Sequence, residues 1–412
     1  MTPQRHALIS GAGIAGTALT LRLAAYGWRS TVVERAPRRR DEGQNIDVRG
    51  AARDVLRRMD LEDAVRAAGT REAGFRVVGD GGRAVAEFPV IAGDGDGPTA
   101  ELEILRGELS RVLLEATGPE VEVRFGTTVT DVDDRGDRAR VALDDGSTVA
   151  ADLVVVAEGL RSRTRDRLLG GATVRETGMY LAYLTIPRLP TDDPWWSWHH
   201  LPGSRGVHLR PDNLGTTRAM LTFLSGVRGL ETLAPGDVRT LLHRTFADAG
   251  WEAPRILREL DDAPMYFDAV GQVRAPRWSS GRVVLLGDSA HCPSPLGGGG
   301  TSLALIGAYV LAGELARTPG DTAGALARYE RLLRPAAEAA QRLPPLTLAN
   351  PRTAAGIRVL HTAARAAASP AGRALGGLLT GRITPAVNAF VLPDVPAPPG
   401  AAASSRPPTT TR

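Results

Sequence analysis

A short apolar run at 7–10, Ala-Leu-Ile-Ser, stops at Gly11, and from Ile14 the spacing changes. Ile14, Ala18, Leu21, Leu23 and Ala25 recur at helical intervals across 14–26, and a β-branched run, Ser-Thr-Val-Val-Glu, follows at 30–34. This switch of period and back predicts a βαβ unit. A helix is expected over 51–67, and strands over 74–90 broken by the turn Gly79-Asp80-Gly81-Gly82. Residues 92–98 are a Gly/Asp/Pro loop, and 103–116 have amphipathic helical spacing. Segments 121–125, 128–133, 138–143 and 148–156 alternate as strands joined by Asp/Gly turns.

The stretch 173–224 is rich in Thr, Tyr, Trp and Val and predicts a second, mixed sheet. Residues 283–287, Val-Val-Leu-Leu-Gly, predict a buried strand, followed by a Gly-rich loop and a helix to about 316. Residues 322–343 and 352–381 carry Ala/Arg/Leu helical patterns. The predicted class is α/β, a Rossmann-like nucleotide-binding domain interrupted by a mixed β-sheet substrate domain, with C-terminal helices. The expected boundaries are 1–72, 101–172 and 275–345 for the first domain and 73–100 with 173–274 for the second. Residues 346–392 then form C-terminal helices, and 393–412 are Pro, Ala, Ser and Thr and predict a disordered tail.

Composition narrows the chemistry. The 412 residues, 43% hydrophobic, allow two substructures with a large core. No apolar run reaches the roughly 18 residues that a membrane span needs. Met1 to His6 lack the charged and apolar regions of a signal peptide, which predicts a cytoplasmic protein. One cysteine, Cys292, fits a reducing compartment and excludes a cysteine-rich metal site. The net charge of +4 comes from Arg scattered among Asp and Glu, a solvated mixed surface rather than a nucleic-acid footprint. Lysine is absent from the whole chain, which excludes a P-loop and a pyridoxal Schiff base.

Two glycine motifs carry the chemistry. Gly11-Ala12-Gly13-Ile14-Ala15-Gly16 lies between strand and helix, where a dinucleotide fingerprint belongs. Gly11 allows the tight turn, Gly13 admits a pyrophosphate to the backbone, and Gly16 lets helix and strand pack closely. Glu34, followed by Arg35, ends the second strand at the distance expected for gripping a ribose hydroxyl, which favours FAD or NAD over NADP. The second motif is Gly287-Asp288-Ser289-Ala290-His291, continuing through Pro295 to Gly297-Gly298-Gly299-Gly300-Thr301 and a helix. Either motif alone could be a structural Gly-rich turn. Two of them, some 275 residues apart, point to one long ligand touched at both ends.

Gly-Asp-Ser-Ala-His with its Pro and Gly-rich loop resembles the signature of the class A flavoprotein monooxygenases, whose fold is that of p-hydroxybenzoate hydroxylase. Between the two motifs, Asp152-Leu-Val-Val-Val-Ala-Glu158-Gly159-Leu-Arg-Ser162-Arg-Thr-Arg165 is similar to a third family stretch. The resemblance covers most of 5–345. Gly43-Gln44-Asn45-Ile46-Asp47-Val48, and Arg165 followed by Val174-Arg175-Glu176-Thr177-Gly178, look most like the tetracycline-modifying members. The resemblance implies FAD contacts at Asp47, Arg106 and Asp288, further contacts around Glu158 and Gly159, and a reduced-nicotinamide contact at Arg40. It also implies a monooxygenase that consumes NADPH or NADH and inserts one atom of O2 through a flavin C4a-hydroperoxide. Its substrate would be a bulky aromatic or polyketide-like molecule. The mixed charge and the lack of an apolar span predict no nucleic-acid or membrane partner, and the sequence leaves monomer and homodimer both open. The chain departs from the family pattern at Val156, Glu158, Ser302 and Gly307.

For the substrate, aromatics and Met of the middle region can line an apolar pocket. The candidates are Trp195, Trp196, Trp198, Arg210, Met220, Phe223, Met265 and Phe267, with His199, His200 and His208 as groups able to move a proton. Residue by residue, ordinary core packing explains them better, because alternating aromatics in a sheet are usually core and a lone His is usually a satisfied polar group. Two other classes remain open from sequence: an FAD-dependent dehydrogenase or oxidase, and a non-catalytic flavin- or ligand-binding resistance protein. Trp196-Ser-Trp198 also resembles the start of a flavin-halogenase signature, but His199-His200 follows and no catalytic lysine exists.

Overall fold

The computed structural model describes residues 4–39, 43–90, 100–379 and 387–399. One layer is a six-stranded sheet in the order Ser279–Ser280, Val283–Leu285, Leu153–Val156, His6–Ser10, Arg29–Glu34, Val121–Phe125. All its pairings are parallel except that of the edge strand Ser279–Ser280. Strands covered on both faces read as continuous apolar runs. Leu153–Val156, Leu-Val-Val-Val, is buried at every position. Helix Ile14–Ala25 carries the crossover from His6–Ser10 to Arg29–Glu34, and helix Gly300–Arg317 packs against it. Strand order reverses between His6–Ser10 and Leu153–Val156, which opens a crevice at the carboxyl ends of these strands.

The second layer is a seven-stranded sheet in the order Met265–Arg274, Thr173–Pro187, Thr216–Leu224, Arg205–Pro211, Trp195–Leu201, Gly74–Val78, Ala84–Pro89. Its outer face is a core of Tyr180, Leu221 and Phe223 under Val238, Leu242 and Phe246 of helix Pro235–Phe246. Those three helix positions are four residues apart, so they form one stripe. Three antiparallel strands, Val129–Asp133, Ala139–Leu143 and Thr148–Ala151, make a separate small sheet.

Several expected elements divide where local chemistry interrupts the period. The helix expected over 51–67 is two, Ala51–Arg57 and Glu62–Ala67, with Asp60 between them at φ +56°. Residues 103–116 begin as a strand, Glu103–Leu105, paired with Asn45–Asp47, and the helix starts at Arg106. The segment 148–156 breaks at Asp152, whose carboxylate accepts from the His6 amide at 2.8 Å, and its halves enter different sheets. The tail expected to start at 393 is held further along. Val395 packs on the main core, and the Pro396 carbonyl accepts from the Tyr26 hydroxyl at 2.7 Å. Residues 400–412 lie outside the described residues.

The two layers are stitched at the second glycine motif. Gln272 Nε2 donates to the carbonyls of Pro293 at 3.1 Å and Gln341 at 2.8 Å, and Gln341 Nε2 donates to Val273 O at 2.6 Å. His291 is buried there against Trp278, which packs in turn on Tyr329, and burial lowers its pKa to about 4.

Two outcomes follow for stability. A Cβ at Gly11 would lie 2.4 Å from Ala157 O, on a backbone at φ +112°. Gly11→Ala should therefore lose on the order of 3 kcal/mol or more in urea unfolding; an unchanged midpoint would contradict this packing. His291 takes up its proton near pH 6.5 in the unfolded chain but only at about 4 in the folded one. Its stabilisation is complete above about pH 6.5 and is lost as pH falls toward 4, by on the order of 3 kcal/mol. His291→Phe should flatten that acid limb in thermal melts; superimposable limbs would show that the imidazole is not buried neutral.

Candidate functional site

The glycine motifs, Glu34 and the 158–165 stretch all lie at the carboxyl edge of the six-stranded sheet. At the first turn, Gly11 N donates to Val33 O at 2.8 Å, and a Cβ on Gly16 would sit 2.0 Å from Gly11 O. Gly13 caps the helix without a side-chain cap, and the first helical bond is Thr17 N to Gly13 O at 3.0 Å. The amides of Ile14, Ala15 and Gly16 are thus left for a ligand, at the positive end of a helix. Glu34 accepts from Ala12 N at 3.0 Å and Ala36 N at 2.9 Å, and its remaining lone pairs can take hydroxyls. Arg35 beside it is exposed.

The second turn touches the first. Gly287 has φ +62°, and a Cβ there would lie 2.7 Å from Ala15 Cβ. The long helix Gly300–Arg317 also starts without a side-chain cap, at Gly299. A Cβ on Gly300 would meet Asp288 Oδ1 at 3.6 Å. Burial raises the Asp288 pKa, and the Arg106 charge opposes that rise. Ser294, at φ +87°, redirects the chain so that Pro295, Leu296 and Gly298 are exposed, and Thr301 is half-buried. Burial also pushes the Cys292 thiol well up, so it is an inert neighbour of Asp288.

Arg106 faces this crevice. Its Nη2 is 3.9 Å from the Cβ position of Gly13, and its charge reaches Asp288, Tyr183 and Tyr266. Its guanidinium pairs with no carboxylate among the described residues. Asp47 is bonded by Arg49 at 2.8 Å through Oδ2, while Oδ1 is buried without a partner among the described residues. Glu158 is engaged internally. It accepts from Ser10 Oγ at 2.5 Å, Ser162 Oγ at 2.7 Å and Thr164 N at 3.2 Å, so its longer arm brackets the first turn to the 163–168 helix. Gly159 N donates to Ser289 Oγ at 2.8 Å, and the buried Arg165 donates to Ser289 O at 3.4 Å, tying the third motif to the second. Ser302 accepts from Arg49 N at 3.3 Å. Gly307 is where helix, strand and neighbouring helix close up, with Leu286 and Leu333 each 3.2 Å from its Cβ position.

Strand alternation sorts the substrate candidates onto two faces. Trp196, Trp198, His200, His208, Arg210 and Met220 share the inner face with Tyr183 and Tyr266. Trp195, His199, Phe223, Met265 and Phe267 turn outward, which corrects their expected role. Phe223 and Phe267 stack with Tyr180 in the core under the helices, and His199 lies beside Trp251. Arg210 is also committed elsewhere: it bonds Glu72 at 3.0 Å and Glu103 at 2.8 Å, and stacks on Trp196 at 3.7 Å. Burial lowers the pKa of His200 to about 4 and that of His208 well below the usual range. Both are neutral at pH 7. Sequence reasoning missed Tyr183, Tyr266 and Phe75; the period-two pattern flanking Asp268 was the available signal for Tyr266, while Phe75 reaches this face only through its pairing with Trp196. Arg40 lies outside the described residues.

Comparison with known proteins places the chain in a family. A family model described as FAD binding domain matches residues 4–343. The flavin-dependent monooxygenase eupH of Phoma sp is 37% identical over 362 residues, 80% of this chain and 83% of that protein. The FAD-dependent monooxygenase asL6 of Sarocladium schorii is 35% identical over 383 residues, 86% of this chain and 90% of that one. The crystal structure of tetracycline destructase Tet(51) superposes with a TM-score of 0.78 at 28% identity, covering 96% of this chain and 100% of that chain. Klebsiella pneumoniae HpxO, solved with FAD and uric acid, shares the fold at 20% identity and a TM-score of 0.74, over 95% and 99% of the two chains. The chain belongs to the FAD-binding family of flavin-dependent monooxygenases.

Proposed function

We propose that this enzyme lays FAD along the paired glycine turns and uses NADPH or NADH and O2 to oxygenate a bulky, ring-based molecule held on the inner sheet face. The carrying observation is the contact of Gly287 with Ala15, which sets two uncapped helix starts side by side under Arg106, whose guanidinium meets no carboxylate among the described residues. Ile14, Ala15 and Gly16 amides with Arg106 suit the pyrophosphate, Glu34 a ribose hydroxyl, and Asp288 the polyol chain between them. Gly298, Gly299, Gly300 and Thr301 present amide donors at a helix start, suited to negative charge on a reduced ring. Bound FAD supplies the activation of O2, and the protein supplies position and exclusion of water. Tyr183, Met220, Trp196 and Trp198 give the inner face its apolar surface. An aromatic or polyketide-like substrate fits that surface, as it fits the kinship to Tet(51). The single buried thiol of Cys292 supports a reducing, cytoplasmic setting, with the enzyme as monomer or homodimer.

The purified protein should be yellow, and its NADPH oxidation should accelerate with a substrate found by screening aromatic polyketides. A colourless protein that takes up no added FAD would refute the reading. Asp288→Ala and Arg106→Ala should each weaken FAD binding by about tenfold or more, the effect of losing one charge-assisted hydrogen bond. Equilibrium dialysis or flavin fluorescence measures this, and wild-type retention in both variants would remove these residues from the cofactor site.

A further inference from the structure

The inner sheet face carries a ladder of rings that cofactor binding does not use. Arg210 stacks on Trp196 at 3.7 Å, Trp196 meets Trp198 at 5.0 Å, and Trp198 meets His208 edge-on at 4.6 Å. His200 continues it at 6.0 Å from Trp198 and 6.1 Å from His361 of helix Ala354–Ala368. Along this ladder the Nε1 atoms of Trp196 and Trp198, the Nδ1 atoms of His200 and His208 and Nε2 of His361 are all buried without a partner among the described residues. Buried polar atoms are nearly always hydrogen-bonded. Five on one ladder mark a surface that awaits complementary groups.

The neighbouring bonds fix what each atom offers. Thr222 Oγ1 lies 3.1 Å from His208 Nε2 and directs its own proton to Gly206 O at 3.5 Å. It therefore accepts from His208 Nε2–H, which leaves Nδ1 a bare acceptor. The Nδ1 of His200 is likewise without a partner among the described residues. Burial keeps both imidazoles neutral. The indole N–H groups are donors only. The cations on the strands of this face are already matched, Arg210 by Glu72 and Glu103 and Arg218 by Asp212 at 3.0 Å, and Arg106, whose charge reaches Tyr183 and Tyr266, is taken up by the pyrophosphate in the reading above. A carboxylate placed on the ladder would be desolvated with no free positive charge beside it.

We propose that Trp196, Trp198, His200 and His208 are the specificity set of the oxygenation site: the indoles donate to ring carbonyls and the imidazole Nδ1 atoms accept from hydroxyls, so the face selects a neutral fused-ring hydroxyketone over a carboxylate of the same frame. This rests on the monooxygenase reading above. The test uses FAD-loaded enzyme without NADPH and three probes: anthraquinone, anthraquinone with one hydroxymethyl group, and anthraquinone monocarboxylate. Binding is followed by the flavin difference spectrum at pH 7. The hydroxymethyl compound should bind about tenfold more tightly than the carboxylate. Trp198→Phe, which keeps a ring and deletes the donor, should weaken all quinone binding about fivefold to tenfold. His208→Phe should erase the advantage of hydroxymethyl-anthraquinone over anthraquinone, and FAD content should stay at the wild-type level in both variants. Equal or tighter binding of the carboxylate, no binding of any probe, or quinone affinity unchanged by Trp198→Phe would each overturn the proposal. Loss of the FAD-loaded state in the wild-type protein would instead defeat the monooxygenase reading, so the two failures are distinguishable.

Discussion

The contact of Gly287 with Ala15 is the constraint on which the rest depends. Helices Ile14–Ala25 and Gly300–Arg317 both close on the turn at Gly287, where a Cβ would lie 2.7 Å from Ala15 Cβ and 3.9 Å from Ala304 Cβ. Gly287 supplies that space, and its φ of +62° turns the chain from strand Val283–Leu285 toward Asp288. Asp288 then lies against the start of helix Gly300–Arg317, and Arg106 stands over both turns. Neither helix start has a side-chain cap, which is the arrangement by which a fold leaves backbone donors to an anion.

A crevice of this kind needs a wall held at a fixed distance. Two buried polar clamps provide it. Gln272 and Gln341 tie the end of the substrate sheet to the Cys292–Pro293 backbone. At the other side Arg210 joins Glu72 and Glu103, and Asn45 Nδ2 bonds both Glu103 at 2.7 Å and Pro211 O at 2.9 Å. Burial raises the pKa of both glutamates and the Arg210 charge opposes this. A buried cluster of this type contributes little net stability against an apolar replacement, but breaking one partner strands a charge. Its value here is geometric: it sets the sheet's inner face toward Arg106 and Asp47.

Much of this was legible in the sequence because glycine, aspartate and a change of period are local signals. The βαβ unit, the 287–300 turn and the α/β class followed from them. What was not legible depended on partners distant in the chain. Nothing near Arg106 announces that Glu103–Leu105 will pair with Asn45–Asp47 and move the helix start forward. The aromatic stretch 195–223 was visible as a group, but its division into inner and outer faces depends on register, and a one-residue slip exchanges the faces. Phe223 and His199 were misplaced for that reason. The family departures resolve in the same way. Gly307 is a packing glycine between Leu286 and Leu333, and Glu158 spans from Ser10 to Ser162.

The histidines of the inner face show how burial decides between chemical roles. As sequence they offered a base for a phenolic substrate. A phenol releases its proton near pH 10, whereas His200 holds one only at about 4. Transfer between them would be uphill by roughly 8 kcal/mol at the ordinary exchange of about 1.4 kcal/mol per pK unit. A base tuned for catalysis lies close to the working pH, and desolvation drives His200 and His208 in the opposite direction. The same desolvation keeps them uncharged beside two indole donors. Burial that disqualifies these rings for proton abstraction is therefore what the proposed recognition of a neutral, hydrogen-bonding ring system requires, while activation of oxygen is left to the cofactor.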